Sequence, residues 1–278
     1  MAHTSVFILT PDFPAVDSCA MIGGSYEEAI AAAKRMGYDG VEITMGDPAL
    51  FDAGAFQAAL DRHGMKVSAI NSGGIEYCFH LALVSDESRK AESALRILKG
   101  CIEHCAKFGC SQQIGVARGF AVPGLPLRWF KDRLVDVLKE ATACAARLSV
   151  PVVFEYTNRF EINTINTGAE AREIVERVAS PNLGILVDTY HSFLEDPDVC
   201  QNLRDLGSLV RHVHLHDSNR GAALIAGGEN DFDRIIRTCG EVGYHGWFSD
   251  GLLTLQYSEE QLRQSTAGLK QLYEKYGV

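Results

Sequence analysis

The stretch VVFEYTNRFE, residues 152–161, decides the fold, together with its two echoes downstream, ILVDTYH (185–191) and HVHLHDSNR (212–220). Each is a short run of β-branched and apolar residues that breaks into carboxylates, imidazoles and amides at its C-terminal end. A strand apolar on both faces belongs in a parallel sheet covered by helices. Reading outward, the same unit recurs along the chain. Strands are expected at 5–10, 41–44, 66–71, 112–116, 152–155, 183–188, 210–216 and 247–249. Amphipathic helices are expected at 25–36, 53–63, 87–108, 127–148, 169–178, 199–206, 232–242 and 259–276. Ser25 and Glu28 have capping-box spacing, and Gly37 is a helix stop. Eight βα units in 278 residues leave about 35 residues per unit, which fits one closed (β/α)8 barrel, a single domain over 1–278. The alternative, an open doubly wound sheet, would call for a glycine-rich phosphate loop after the first strand, and none is present.

Composition narrows the partners. Asp and Glu number 36 against 26 Lys and Arg, a formal charge of −10. That balance disfavours nucleic acid and anionic membrane, and the apolar runs are too short to span a bilayer. The first residues, MAHTSVFILTPDF, lack the pattern of a secretory signal. The cysteines at 19, 78, 101, 105, 110, 144, 200 and 239 form no C-x-x-C pair, which suits buried thiols in a reducing cytoplasm. Cys101, His104, Cys105 and Cys110 read as core residues rather than a zinc site.

In a barrel the chemistry gathers where strands end. Glu155, Asp188 and His214 each fall near the end of one of three adjacent strands. A carboxylate inside such a run is costly unless it is paired or bound to a cation. Two carboxylates and one imidazole suit Mn²⁺, Mg²⁺ or Co²⁺ better than a thiolate-loving metal. His212 shares the inward face but lies deeper, as a core histidine would.

The strings ExxNRFE (155–161), DTYH (188–191) and HxxDSNR (214–220), with weaker echoes in GYDGVEI (37–43), GVARG (115–119) and GYHGW (243–247), resemble the sugar isomerase/epimerase branch of the xylose-isomerase-like barrels. The resemblance is greatest to the D-tagatose 3-epimerase and 5-keto-L-gluconate epimerase type. It implies one divalent metal, Mn²⁺ foremost, on Glu155, Asp188 and His214, with Glu155 also an acid/base carboxylate. It implies that Glu161, His191 and Arg220 grip the oxygens of a small keto sugar or keto sugar acid. The family inverts the carbon beside the carbonyl through an enediolate that the metal stabilises. Each residue also has a plainer reading: Glu161 as a solvated loop charge, His191 as a turn cap, Arg220 as a partner of Asp217. Arg118 is expected either to meet a substrate carboxylate or to form a surface salt bridge.

One position departs from the family. Its fourth ligand and second catalytic carboxylate is expected at 251, where this chain has glycine. Asp250 turned inward by a bulge, His216, or water are the candidates to fill that place. The missing carboxylate leaves three further readings: one-base isomerisation, a dehydratase or other lyase on the same metal site, and a sugar-binding subunit that is degenerate or partner-dependent. A homo-oligomer is compatible with all of them. An endonuclease-IV-like repair enzyme shares the barrel, but the acidic balance and the single ligand trio oppose it.

Overall fold

The computed structural model describes residues 2–13, 22–251 and 257–278. Eight parallel strands close into a barrel in chain order. They are β1 (His3–Leu9), β2 (Gly40–Thr44), β3 (Lys66–Asn71), β4 (Ser111–Ile114), β5 (Val152–Glu155), β6 (Leu183–Asp188), β7 (Val210–His214) and β8 (Trp247–Asp250). Closure is made by β1 on β8, with Ser5 opposite Ser249. The helices are α1 (Tyr26–Arg35), α2 (Ala53–His63), α3 (Gly73–Tyr77), α4 (Ser88–Phe108), α5 (Leu127–Arg147), α6 (Gly168–Val178), α7 (Thr189–Glu195), α8 (Val199–Leu206), α9 (Phe232–Glu241) and α10 (Glu259–Tyr276). None is long and apolar enough to cross a membrane.

Ten helices among the described residues replace the expected eight. The additions, α3 and α7, span only 5 and 7 residues, too short for a 3.6-residue period to declare itself. Both start directly beyond a strand end, so both rim the cavity. The sequence-expected capping box at Ser25 and Glu28 is present, and two more start α6 and α10. Each such cap satisfies backbone N–H groups that the first helical turn would leave open.

The outward strand residues, among them Val6, Val41, Ile70, Phe154, Val187 and Phe248, are fully or almost fully buried against the helices. Phe248 stacks on Tyr273 of α10 at 4.8 Å. Burying one such side chain stabilises the fold by about 1.5–3 kcal/mol. Cys101 and Cys105 are buried thiols of this layer, and His104 Nε2 is held 2.9 Å from the Pro48 carbonyl oxygen, as core residues should be. Cys19 lies outside the described residues.

Inside the barrel, aliphatic residues such as Val153 and Leu186 share the filling with a column of polar groups. Ser5, Glu42, His212, His214 and Ser249 are all buried there. Ser5 and Ser249 share a 2.7 Å hydrogen bond, and Ser249 a second one with His212 Nε2 at 2.7 Å. Glu42 Oε2 lies 3.2 Å from both His212 and His214. This polar column leads from the barrel centre to the site at its C-terminal mouth.

Candidate active site

Side-chain alternation sends Glu155, Asp188 and His214 inward at the ends of β5, β6 and β7. His214 Nδ1 lies 3.3 Å from Glu155 Oε1 and 3.8 Å from Asp188 Oδ2. His191 Nε2 stands 4.0 Å and 3.9 Å from the same two oxygens. Among the described residues two groups could hold a metal ion: Glu155, Asp188 and His191 at the mouth, and Glu42, His212 and His214 deeper in the barrel.

The two oxygens of Asp188 do different work. Oδ1 caps α7, accepting the backbone N–H groups of Tyr190 at 2.8 Å and His191 at 3.4 Å. Oδ2 is thereby aimed at the cavity, where His216 Nδ1 meets it at 2.8 Å. Glu155 is divided likewise. Gln113 Nε2 donates to its Oε2 at 2.5 Å, leaving Oε1 toward His214. The amide of Gln113 is oriented by the Ser72 N–H, which donates to its Oε1 at 3.1 Å. Gly115 makes room for this pair: a Cβ there would stand 2.5 Å from Glu155 Oε2.

His191 has a fixed tautomer. Asn158 Nδ2 donates to its Nδ1 at 2.8 Å and to Glu161 Oε1 at 2.7 Å. Asn158 Oδ1 accepts the Phe160 N–H at 3.0 Å, which fixes the amide orientation. The His191 proton therefore sits on Nε2, facing Glu155 and Asp188. Glu161 is no free loop charge. Arg220 grips it through both guanidinium ends, at 2.8 and 3.0 Å, and lies over the Tyr190 ring at 5.3 Å.

These groups share a cavity of about 340 Å³, at the small end for a small-molecule site. Its other wall is neutral: Thr44, Asn71 and Gln113 from the ends of β2, β3 and β4, with Phe7, Phe13 and Tyr77. Asn71 Nδ2 donates to Thr44 Oγ1 at 2.7 Å.

Two sequence candidates stand elsewhere. Arg118 is fully buried and is absent from the cavity lining. Its guanidinium donates to the carbonyl oxygens of Glu155, Thr164 and Ile165 at 2.7–3.1 Å. It forms neither a surface salt bridge nor a contact across the cavity; it pins the β5 loop, because carbonyls buried there need donors. Burial holds its pKa down to about 10, so it remains a cation. Asp250 follows strict strand alternation and points to the helix layer, where Tyr38 donates to its Oδ2 at 3.0 Å. The inward neighbour is Ser249. At position 251 the backbone N–H donates to His216 Nε2 at 2.9 Å, so His216 presents its other nitrogen, with its hydrogen, to Asp188.

Sequence reading missed three residues that shape this site: Glu42, Gln113 and Asn158. Glu42 carried the signal used for Glu155, a carboxylate inside an apolar strand. The two amides carry no charge and leave no such mark.

Burial opposes charge on Glu42, Asp188 and His214 alike, and mutual contact overrides it. His214 and His212 hold Glu42 well below the usual carboxylate range. His216 and His191 do the same for Asp188. Glu42, Asp188 and Glu155 raise His214 well above its ordinary value. Burial prevails at His212, which is shifted down. The charge beside Glu42 therefore resides on His214. A divalent cation at Nδ1 would displace one proton from that ring. Two converging carboxylates, with an imidazole nitrogen between them, are a donor set that fits such an ion.

Comparison with known proteins agrees with this architecture. Residues 30–272 match the family described as xylose isomerase-like TIM barrel. The ketose 3-epimerase of Arthrobacter globiformis is 28% identical over 225 residues, covering 78% of this chain and 74% of the relative. The L-ribulose 3-epimerase of Methylomonas sp. is 29% identical over 227 residues, covering 79% and 75%. The solved 3-keto-D-glucoside 4-epimerase of Escherichia coli superposes with a TM-score of 0.79 at 23% identity, over 96% of this chain and 98% of that one, a likeness of fold. With a family match across most of its length and the closed eight-stranded barrel to carry it, the chain belongs to the xylose isomerase-like TIM-barrel family.

Proposed function

We propose that the protein is a divalent-metal-dependent epimerase or isomerase of a small keto sugar or keto sugar acid, acting through an enediolate. The observation that carries this reading is the convergence of Glu155 Oε1, Asp188 Oδ2 and His214 Nδ1 at the cavity floor. Its context is a family in which curated relatives are ketose epimerases. Glu155, Asp188 and His214 would hold the ion, for which Mn²⁺ is the first choice and Mg²⁺ or Co²⁺ are chemically suited. When bound, it supplies Lewis-acid polarisation of the substrate carbonyl.

The remaining work falls to side chains. Glu155 takes the proton from the carbon beside the carbonyl. His191 offers its Nε2 hydrogen to a substrate oxygen. The Glu161–Arg220 pair holds hydroxyls at the cavity mouth, with Arg220 donating and Glu161 accepting. Thr44 and Asn71 meet the opposite edge of the sugar with neutral polar groups.

Inversion needs a proton delivered on the face opposite Glu155. The family's carboxylate for that face belongs at 251, which is glycine here. His216 stands nearby with both nitrogens engaged, by Asp188 and by the Gly251 N–H. This arrangement favours chemistry with one base, and it supports a second reading in which the same site removes a proton and then water, as a dehydratase does. The free thiols among the described residues accord with a cytoplasmic setting.

The test is Mn²⁺-loaded protein in D₂O with a panel of ketoses and keto acids, followed by NMR. Deuterium is expected at the carbon beside the carbonyl. A new enone absorbance instead selects the dehydratase. Exchange with no member of the panel defeats the proposal.

A further inference from the structure

Glu42 is a carboxylate placed deep inside the barrel, below the cavity. It sits mid-strand in β2, fully buried, and reaches across the interior to β7, 172 residues away. Its Oε2 lies 3.2 Å from the Nε2 atoms of both His212 and His214. Among the described residues its Oε1 has no hydrogen-bond partner. A carboxylate left half-satisfied in a protein interior is costly, so its retention calls for a reason beyond packing.

The geometry of His214 supplies that reason. Its Nε2 faces Glu42, and its Nδ1 faces Glu155 Oε1 at 3.3 Å and Asp188 Oδ2 at 3.8 Å. A neutral imidazole carries one hydrogen, and only the nitrogen without it can bind a cation. An ionised carboxylate accepts hydrogen bonds and donates none. Once a cation displaces the Nδ1 hydrogen, Glu42 keeps the remaining hydrogen on Nε2 and leaves the Nδ1 lone pair toward the cation held by the two carboxylates. Without Glu42 the ring could place its hydrogen on Nδ1, donate to Glu155, and close the site. His212 does not compete for this function, because its Nε2 also bonds Ser249 Oγ at 2.7 Å, deeper in the barrel.

We infer that Glu42 is a positioning residue for the metal site: it selects the His214 tautomer that can ligate a divalent cation. The inference rests on the metal-site reading given above. It concerns a residue of β2, outside the trio that would touch the ion.

Titration calorimetry with Mn²⁺ tests it on the full chain, using wild type, Glu42→Gln and Glu42→Leu. Removing the partner of a ligating histidine typically weakens metal binding 10–100-fold. The expected loss is about tenfold for Glu42→Gln, whose amide oxygen can still accept the Nε2 hydrogen, and up to about 100-fold for Glu42→Leu. Circular dichroism establishes which variants fold, and Glu42→Gln, close to isosteric, stands in should Glu42→Leu not fold. A second readout is the Nε2 proton of His214 in Zn²⁺-loaded protein. It should be downfield and slowly exchanging in wild type, and shifted upfield in the folded variants. Wild-type affinity and an unchanged His214 proton in a folded variant overturn the role of Glu42 alone. Wild-type protein that takes up no divalent cation overturns the metal-site reading, and this inference with it.

Discussion

The cavity wall built by the ends of β5, β6 and β7 and the wall built by β2, β3 and β4 have the same backbone geometry and opposite chemistry. The first carries Glu155, Asp188, His214 and, just beyond the strand, His216; the second carries Thr44, Asn71 and Gln113. In both, the last inward residue of a parallel strand faces the mouth. Only the first wall concentrates carboxylates and imidazoles. The second contributes one decisive charge, and it is hidden: Glu42, one pleat below Thr44. Under the proposed function the first wall would carry the chemistry and the second the recognition. The contrast also shows that the neutral wall serves the charged one, through Gln113 on Glu155 and Glu42 on His214.

The largest effect expected from breaking this contrast is at Glu155. Glu155→Gln removes the proposed base and should lower deuterium exchange into substrate by roughly 10²–10⁴-fold, measured by NMR under the assay above.

Stripping the metal comes next. With free Mn²⁺ at about a hundred times its dissociation constant, chelation should remove about 2.7 kcal/mol of stability. That is a fall of several degrees in the melting temperature, restored by adding Mn²⁺ back. The metal-free chain should then reveal the Glu42–His214 pair through pH. Glu42 is shifted below its ordinary 4.5, so its contribution is present above that value and lost as pH falls through the lowered one. His214 is shifted above its ordinary 6.5, so its contribution is present below that value and lost as pH rises through the raised one. Urea midpoints should therefore peak between the two limbs, and Glu42→Leu should flatten both.

Gly251→Glu sharpens the comparison by placing, just beyond β8, the carboxylate that the family resemblance implies there. Epimerised product should rise roughly tenfold relative to product formed by one-base isomerisation, read by chromatography, since a positioned acid or base contributes at least that much. An inactive wild type made active by this change would mark the natural site as degenerate. The smallest effect belongs to the neutral wall. Asn71→Ala removes one hydrogen bond of about 1 kcal/mol, raising KM about fivefold while calorimetry finds Mn²⁺ affinity unchanged.

How much of this is legible in the sequence depends on range. The strands at 66–71, 152–155 and 183–188 and the helices at 53–63, 199–206 and 259–276 have the expected bounds, because local periodicity and flanking breakers set them. The trio Glu155, Asp188 and His214 stands out because charge in an apolar strand is anomalous wherever the chain goes. Arg118 misleads for the opposite reason: a cation in a glycine-flanked loop looks available, and only the fold reveals that buried carbonyls and the Thr157 hydroxyl engage its guanidinium. Helices α3 and α7 escape because one or two turns have no period to read.

The sequence by itself determined the eight-unit barrel, the end of the barrel at which Glu155, Asp188 and His214 gather, and the glycine at 251. These follow from local patterns: apolar runs, alternation, caps, and the residue type at a position. Tertiary structure alone decided that Asp250 faces the helices, that Arg220 pairs with Glu161 rather than Asp217, and that Glu42 on β2 meets His214 on β7. Each of these depends on closing a sheet so that residues far apart in the chain become neighbours, and no local pattern carries that information.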